Sequence, residues 1–371
     1  MEIMNHKSSL LGFFIYLGTA IGLGVFALPY AFNQSGFFSF FYLLFLVPAV
    51  FLTTLAFSKI LTLQTNVHTI AGSAGFFLGA KVKHIALAIV FLEMGGALLA
   101  YFSAGGIFLN ILSPLISPYL WGIIFALIIF ALIFFDIKSV GASELYLTIA
   151  IVVLFLLLSA IGFSHFRTTN LALNLGMAEE KFLAYGVILF SLAGWSAVPA
   201  LRELFGQEYR RFVSTIGLGT VIVITVYLLF TVATVGAFFN PSQEALSSYA
   251  TLGGIMRYSG ALLGVLNVLT SALVLGLYLK NVFRRDYNLS KNASLFLMAI
   301  PIFMLYIFGI SSFVKIISFV GGVAIAADAV LIWLIYQKFM CPSVVKKIAI
   351  FLLIGIFLLG AVYEVYFTFF K

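Results

Sequence analysis

Two stretches of this chain could bind a small molecule with backbone alone. GTAIGLGVFALPY, Gly18 to Tyr30, places Gly18, Gly22, Gly24 and Pro29 in an otherwise apolar run. LFSLAGWSAVPAL, Leu189 to Leu201, has a centre of small residues (Ser191, Ala193, Gly194, Ser196, Ala197) followed by Pro199. Glycine destabilises a helix interior by roughly 1 kcal/mol and permits unusual backbone angles. Both stretches therefore predict a helix with an unwound centre. Such a break exposes N–H groups at the start of its second half and C=O groups at the end of its first. The N–H end suits a carboxylate, and the C=O end suits a cation or an ammonium. A zwitterion needs both, a few ångström apart, which is the shape of an α-amino acid.

A second group is built from side chains. Asn267, Thr270 and Ser271 fall within one helical turn, and Asn267 and Thr270 share a face. Oxygen-only ligands suit a hard cation; equally, such hydroxyls bond the backbone of their own helix. Two acids, Glu93 and Asp328, lie inside apolar runs, where a carboxylate is costly and points to function. Each reads as a proton carrier or as a gate or interhelical tie. The tie is favoured for Glu93, and the two readings are even for Asp328. The histidines (His6, His68, His84, His165) are scattered, with no metal spacing to cysteine or acid. No G-K-[ST] phosphate loop is present, which argues against ATP-driven transport. No enzyme chemistry, cofactor or metal beyond a coupling Na⁺ is expected.

The elements that must hold these groups are membrane helices. Of 371 residues, 63% are hydrophobic and 9% charged, with a mean hydropathy of +1.19. Several apolar segments reach about 20 residues, enough to cross a bilayer. Internal hydrogen bonding in lipid leaves helices or closed barrels, and runs this long exclude a barrel. The net charge of +8 is spread singly or in pairs between apolar runs, as in cytoplasmic loops and unlike a nucleic-acid patch. Cys341 alone cannot form an internal disulfide. The first apolar run is too long for a signal segment and reads as a retained helix. The 42 phenylalanines read as lipid-facing and interhelical filler.

The predicted fold class is an all-α polytopic membrane protein forming one transporter domain over 1–371. Eleven helices are expected, near 9–33, 37–61, 83–111, 118–136, 140–164, 181–203, 210–239, 254–282, 293–311, 314–337 and 346–369. A cytoplasmic N-terminus leaves only Arg167, Lys181, Arg257, Lys315 and Lys371 outside; the other fifteen of 20 Lys and Arg lie inside, the expected bias. Helices one and six carry matching breaks, the sequence pointer to a transporter site. Five helices separate their starts, so the second half is inverted. This gives a 5+5 inverted repeat, roughly 9–164 and 181–337, plus an extra helix at 346–369.

Gly18 and Gly22 also form a G-x-x-x-G, which on its own favours close helix packing. GLGVFA fits a dinucleotide-binding pattern, but lies in a membrane span with no acid about 20 residues on. The matching break in helix six tips the reading toward a site. GTAIGLGVFALPYAF resembles the first helix of the amino acid/auxin permease family, including bacterial aromatic amino acid permeases, within the amino acid–polyamine–cation superfamily. FSLAGWSAVPALRE (190–203) resembles that family's sixth helix, GALLAYFSAGGIFL (96–109) its third and TSALVLGLYLKNVFRRD (270–286) its eighth.

The resemblance implies the five-plus-five (LeuT-like) fold and places residues in roles. The substrate carboxylate meets the amides of Leu23 and Gly24, beside Gly22. The amine meets the Ala20 carbonyl and backbone around Phe190, Ser191 and Leu192. Trp195 closes over the substrate, and Tyr101 reaches it from the side. In sodium-coupled relatives, carbonyls equivalent to Gly18 and Ile21 join the helix-eight hydroxyls around Na⁺. Helix five here has no lysine to replace that ion, only Glu144 near its end, which removes one route to proton coupling. The expectation is a secondary importer of a neutral or aromatic amino acid in the plasma (inner) membrane, coupled to Na⁺ or H⁺. Its expected partners are substrate and lipid bilayer, with no nucleic acid. The rivals are a non-transporting sensor, for which the short segment before helix one offers little signalling surface, and a channel, which needs a continuous polar path.

Overall fold

The structure, a computed structural model, describes residues 2–63, 69–135, 141–171, 181–286, 289–341 and 343–370. Lys7, Lys138, Arg285 and Lys371 of the charge count, together with His6, His68 and Glu144, lie outside the described residues and side chains. The regular elements among them are all helical, and helices occupy each of the eleven predicted positions.

The first predicted helix is two: α1 (Glu2–Ala20) and α2 (Gly24–Ser35), bent by 47° at the break. Then come α3 (Phe37–Leu63), a short α4 (Ile70–Leu78), α5 (Ala80–Leu112), α6 (Pro118–Phe134) and α7 (Gly141–Ser164). The sixth predicted helix is also divided, into α8 (Leu183–Leu192), a 3₁₀ turn (Gly194–Ala197) and α9 (Val198–Phe205). The second half continues as α10 (Tyr209–Ala237), a short α11 (Leu246–Ala250), α12 (Gly254–Asp286) and α13 (Lys291–Ile307). The tenth predicted helix is α14 (Phe313–Phe319), a π-turn (Val320–Ile325) and α15 (Ala326–Met340), and α16 (Val344–Phe370) is the last.

Local sequence explains several ends. Pro118 opens α6 where a missing N–H costs nothing, and the Ser117 hydroxyl accepts the Leu120 N–H at 3.3 Å. Thr69 caps α4 by accepting the Gly72 N–H at 2.9 Å. That short helix falls where the sequence predicts only a loop, because nine apolar residues are too few to read as a span.

Among the described residues, seven helical stretches are long and apolar enough to cross a membrane, counting Leu183–Phe205 and Phe313–Met340 as one each, or eight if the bent α1–α2 pair is one span. Three shorter apolar helices, Pro118–Phe134, Thr148–Ser164 and Lys291–Ile307, stand at further predicted positions. Corresponding helices of the two halves touch: α2 packs on α8, α1 on α9, α3 on α10, and α5 on α12. This places both breaks at the centre. Beneath them Phe26 meets Phe108 and Phe155 at 5.4 and 5.1 Å, and Phe155 meets Phe230 at 5.0 Å. These rings join α2, α5, α7 and α10. Phe37, Phe40, Phe41 and Phe45 of α3 are instead exposed, as lipid-facing residues would be.

Candidate functional site

The first break starts where α1 runs out of partners. Ile21 N–H still reaches the Leu17 carbonyl at 2.7 Å, but Gly22 N–H turns back to Ala20 at 3.0 Å. α2 restarts at Gly24 with no side-chain cap at Leu23, so its first amides lack intrahelical acceptors. In the sixth span, Ala193 leaves the helix (φ −66°, ψ 78°) after α8 ends at Leu192, and Pro199 sits in the first turn of α9. The two breaks abut. A methyl group on Gly24 would overlap Ser191 and come within 3.0 Å of the Phe190 ring; only glycine lets these backbones approach so closely.

A residue absent from the sequence reading joins the breaks. Tyr227, on α10, donates its hydroxyl to the Ala20 carbonyl at 2.6 Å, and the Ser191 carbonyl lies 3.1 Å from the same oxygen. These are the carbonyls at the ends of α1 and α8, the ones the resemblance assigns to a substrate amine. No short motif marks Tyr227: it is a tyrosine in an apolar helix, 207 residues from Ala20.

Two cavities flank this tie. The larger runs along α1 and is lined by Gly18, Thr19, Tyr101, Thr148, Asn267, Thr270 and Ser271 among others. The smaller is lined by Ser191, Leu192 and Tyr227 with apolar neighbours. Ala20, Ile21 and Leu23 are buried between them. Of the predicted substrate residues, Tyr101 lines the larger cavity and Ser191 and Leu192 the smaller, while Ala20, Gly22, Leu23, Gly24 and Phe190 line neither. Trp195 is fully buried and lines neither cavity, and its indole N–H has no partner among the described residues.

The proposed ion ligands meet in part. Gly18, Asn267, Thr270 and Ser271 share the larger cavity, but Ile21 does not line it. The Thr270 hydroxyl bonds its own helix, reaching the carbonyls of Leu266 and Asn267 at 3.1 Å each. Ser271 hydrogen bonds Tyr101. The buried Asn267 Nδ2 has no partner among the described residues. Thr148 of α7 packs directly on Gly18 and adds a hydroxyl to the lining of the larger cavity. The close-packing reading of Gly18 and Gly22 holds for Gly18 alone: the nearest atoms to a methyl at Gly22 would be 3.8 Å away.

Glu93 and Asp328 prove to be neighbours. Both are buried, and their side chains face each other between α5 and α15. A third buried acid, Glu364 of α16, accepts a hydrogen bond from Ser318 at 2.8 Å. It lies near the end of the chain, in a helix the sequence reading treated as an addition to the repeat.

The sequence profile of the tryptophan/tyrosine permease family matches residues 5–348. Tyrosine-specific transport system 1 of Haemophilus influenzae is 26% identical over 272 residues, covering 70% of this chain and 65% of that protein. The tryptophan-specific transport protein of the same organism is 27% identical over 257 residues, covering 63% and 60%. The chain thus aligns with less than two thirds of each relative's length. Among solved structures, MhsT in complex with L-phenylalanine superposes with a TM-score of 0.64 at 17% identity, covering 97% of this chain and 98% of that one. That likeness shows the LeuT fold.

Proposed function

This chain belongs to the tryptophan/tyrosine permease family, and from that premise we propose that it is a secondary importer of aromatic amino acids in the plasma membrane. It is a multi-pass membrane transport protein rather than an enzyme. The observation that carries the substrate reading is the convergence of the Ala20 and Ser191 carbonyls on one point, held by the Tyr227 oxygen. An ammonium at that point gains both carbonyls. The unpaired amides that open α2, at Leu23 and Gly24, then face the carboxylate. Tyr101 approaches the first break from the other cavity, its hydroxyl 3.8 Å from where a Gly22 methyl would stand.

All eleven helices span in this reading, with the N-terminus cytoplasmic and the halves inverted. The first two spans of each half rock against the rest to give alternating access. Accumulation is coupled to Na⁺ or H⁺. The oxygens of Gly18, Asn267, Thr270 and Ser271 around one cavity support Na⁺, and the Glu93–Asp328 pair supports H⁺. Uptake of labelled tryptophan, tyrosine and phenylalanine into proteoliposomes under imposed Na⁺ or H⁺ gradients tests the reading. Gradient-driven, saturable accumulation is expected. Binding without uptake would point to a sensor, and non-saturating conductance to a channel.

A further inference from the structure

We propose that Glu93 and Asp328 form one proton-binding site, a carboxyl pair between α5 and α15 whose proton exchange drives the transport cycle. The inference rests on the transport reading and deepens its coupling step. A carboxylate only accepts hydrogen bonds, so two buried carboxyl groups that face each other can be linked only through a proton held between them. Both side chains are buried, at 6% and 1% exposure. The remaining oxygens, Glu93 Oε2 and Asp328 Oδ1, have no partner among the described residues. A structural tie between helices would satisfy its buried oxygens; this pair leaves two unsatisfied, able to accept a further proton or a water.

Other charged and titratable groups on the surrounding elements are engaged elsewhere or distant along the helix. Lys59 of α3 lies over the Tyr209 ring at 4.5 Å. Lys280 of α12 donates to the Ile133 carbonyl at 2.8 Å, and Tyr185 of α8 to the Ile356 carbonyl at 3.2 Å. Glu364 of α16 is held by Ser318. On α5 itself, Lys83 and His84 precede Glu93 by ten and nine residues, about 15 Å of helix, and Lys315 and Lys338 stand ten or more residues from Asp328. Nothing described offers the pair a counter-charge, so losing a proton leaves uncompensated negative charge in a buried site.

The fold connects that charge to the breaks. Asp328 follows the Val320–Ile325 π-turn directly, and π-turns are weak points in a helix that recur at functional sites. Gly96, one turn after Glu93, packs on Val320, and Gly321 lies against the backbone of Gly186 in α8. Separation of two ionised carboxyls would push α15 from α5 at the segment that grips the first half of the broken sixth span. The step makes and breaks only O–H bonds: the proton comes from water on one side and returns to water on the other.

The test uses the full chain in proteoliposomes, comparing wild type with Glu93→Gln and Asp328→Asn. Amide replacements keep the hydrogen bond while removing the exchangeable proton. Counterflow of labelled aromatic amino acid should survive in at least one variant, while pH-gradient-driven accumulation falls at least tenfold in both. Purified wild type in lightly buffered solution should exchange about one proton per amino acid bound, and the variants none. Full pH-driven accumulation in either variant, or substrate binding to wild type without proton exchange, would overturn the proposal while leaving transport standing. Absence of wild-type counterflow with every amino acid would overturn both. If both variants lose counterflow through misfolding, the wild-type proton measurement decides.

Discussion

The Tyr227 hydroxyl donates to the Ala20 carbonyl at 2.6 Å, bridging α10 and the broken end of α1. The same oxygen lies 3.1 Å from the Ser191 carbonyl at the end of α8. One side chain thus bridges the carbonyl ends of both breaks. A hydroxyl carries one proton and an ammonium three, so a substrate amine at this point would satisfy both carbonyls more fully than Tyr227 does.

Tyr227→Phe should therefore act in two directions. A buried carbonyl left unpaired costs about 1–3 kcal/mol, so the empty protein should melt at a lower temperature. An arriving ammonium no longer displaces a competitor, so saturating aromatic amino acid should raise the melting temperature of the variant by more than that of wild type. Thermal unfolding in detergent with and without amino acid measures both. An unchanged ligand-induced shift would show that Tyr227 and substrate do not share these carbonyls.

Gly24 and Gly22 should separate packing from binding. A methyl at position 24 would lie 2.8 Å from the Ser191 backbone, and backbone cannot step aside as a flexible side chain can. Gly24→Ala should lose roughly 1–3 kcal/mol through overpacking and most uptake. Gly22→Ala has room, its nearest contacts at 3.8 Å being Tyr101 and Thr19. It should fold with near-normal stability and raise the uptake KM, because the methyl enters the substrate space. Melting curves paired with uptake kinetics distinguish the two.

What the sequence made legible follows from what carries each signal. Helix positions come from hydropathy, and the breaks from Gly22, Gly24, Gly194 and Pro199; both are local, and helices and breaks appear where predicted. Glu93 and Asp328 were legible as costly acids but not as a pair. Their meeting depends on the rotation and register of two helices more than 200 residues apart, which no local pattern encodes. Tyr227 escaped for the same reason. The resemblance names amino acid/auxin permeases, including aromatic amino acid permeases, while the matching family is that of tryptophan/tyrosine permeases. Short glycine-rich motifs report a helix break that related families share.

Helices α3 and α15 are fastened by Trp333, whose indole N–H donates to the Thr53 hydroxyl at 2.9 Å. Thr53 in turn donates to Ala49 at 2.7 Å. Thr53→Val keeps the shape and strands a buried indole donor, costing about 1–3 kcal/mol. Thr53→Ser should recover most of the loss. Denaturation in mild detergent would read the difference, and equal stability of Thr53→Val and wild type would show that the bond carries no net weight.

The last helix is bound to the repeat by polar contact rather than by lipid exclusion alone. Glu364 of α16 accepts from Ser318 at 2.8 Å, and its side chain lies against Gly322 in the π-turn. Among membrane helices, apolar surface gives little preference for a neighbour over lipid, so one well-formed polar contact can set the docking position. Ser318→Ala should leave a buried carboxyl oxygen unpaired and cost about 1–3 kcal/mol. Glu364→Gln keeps an acceptor at the same distance and should cost less. Gly322→Ala would bring a methyl to 2.8 Å from the Glu364 Cγ, displacing the carboxyl from Ser318 and approaching the Ser318→Ala loss. Because Gly322→Ala and Ser318→Ala break one contact, the double variant should be little worse than either single. Additive losses would mean that the two residues act independently and that Glu364 does not dock the helix.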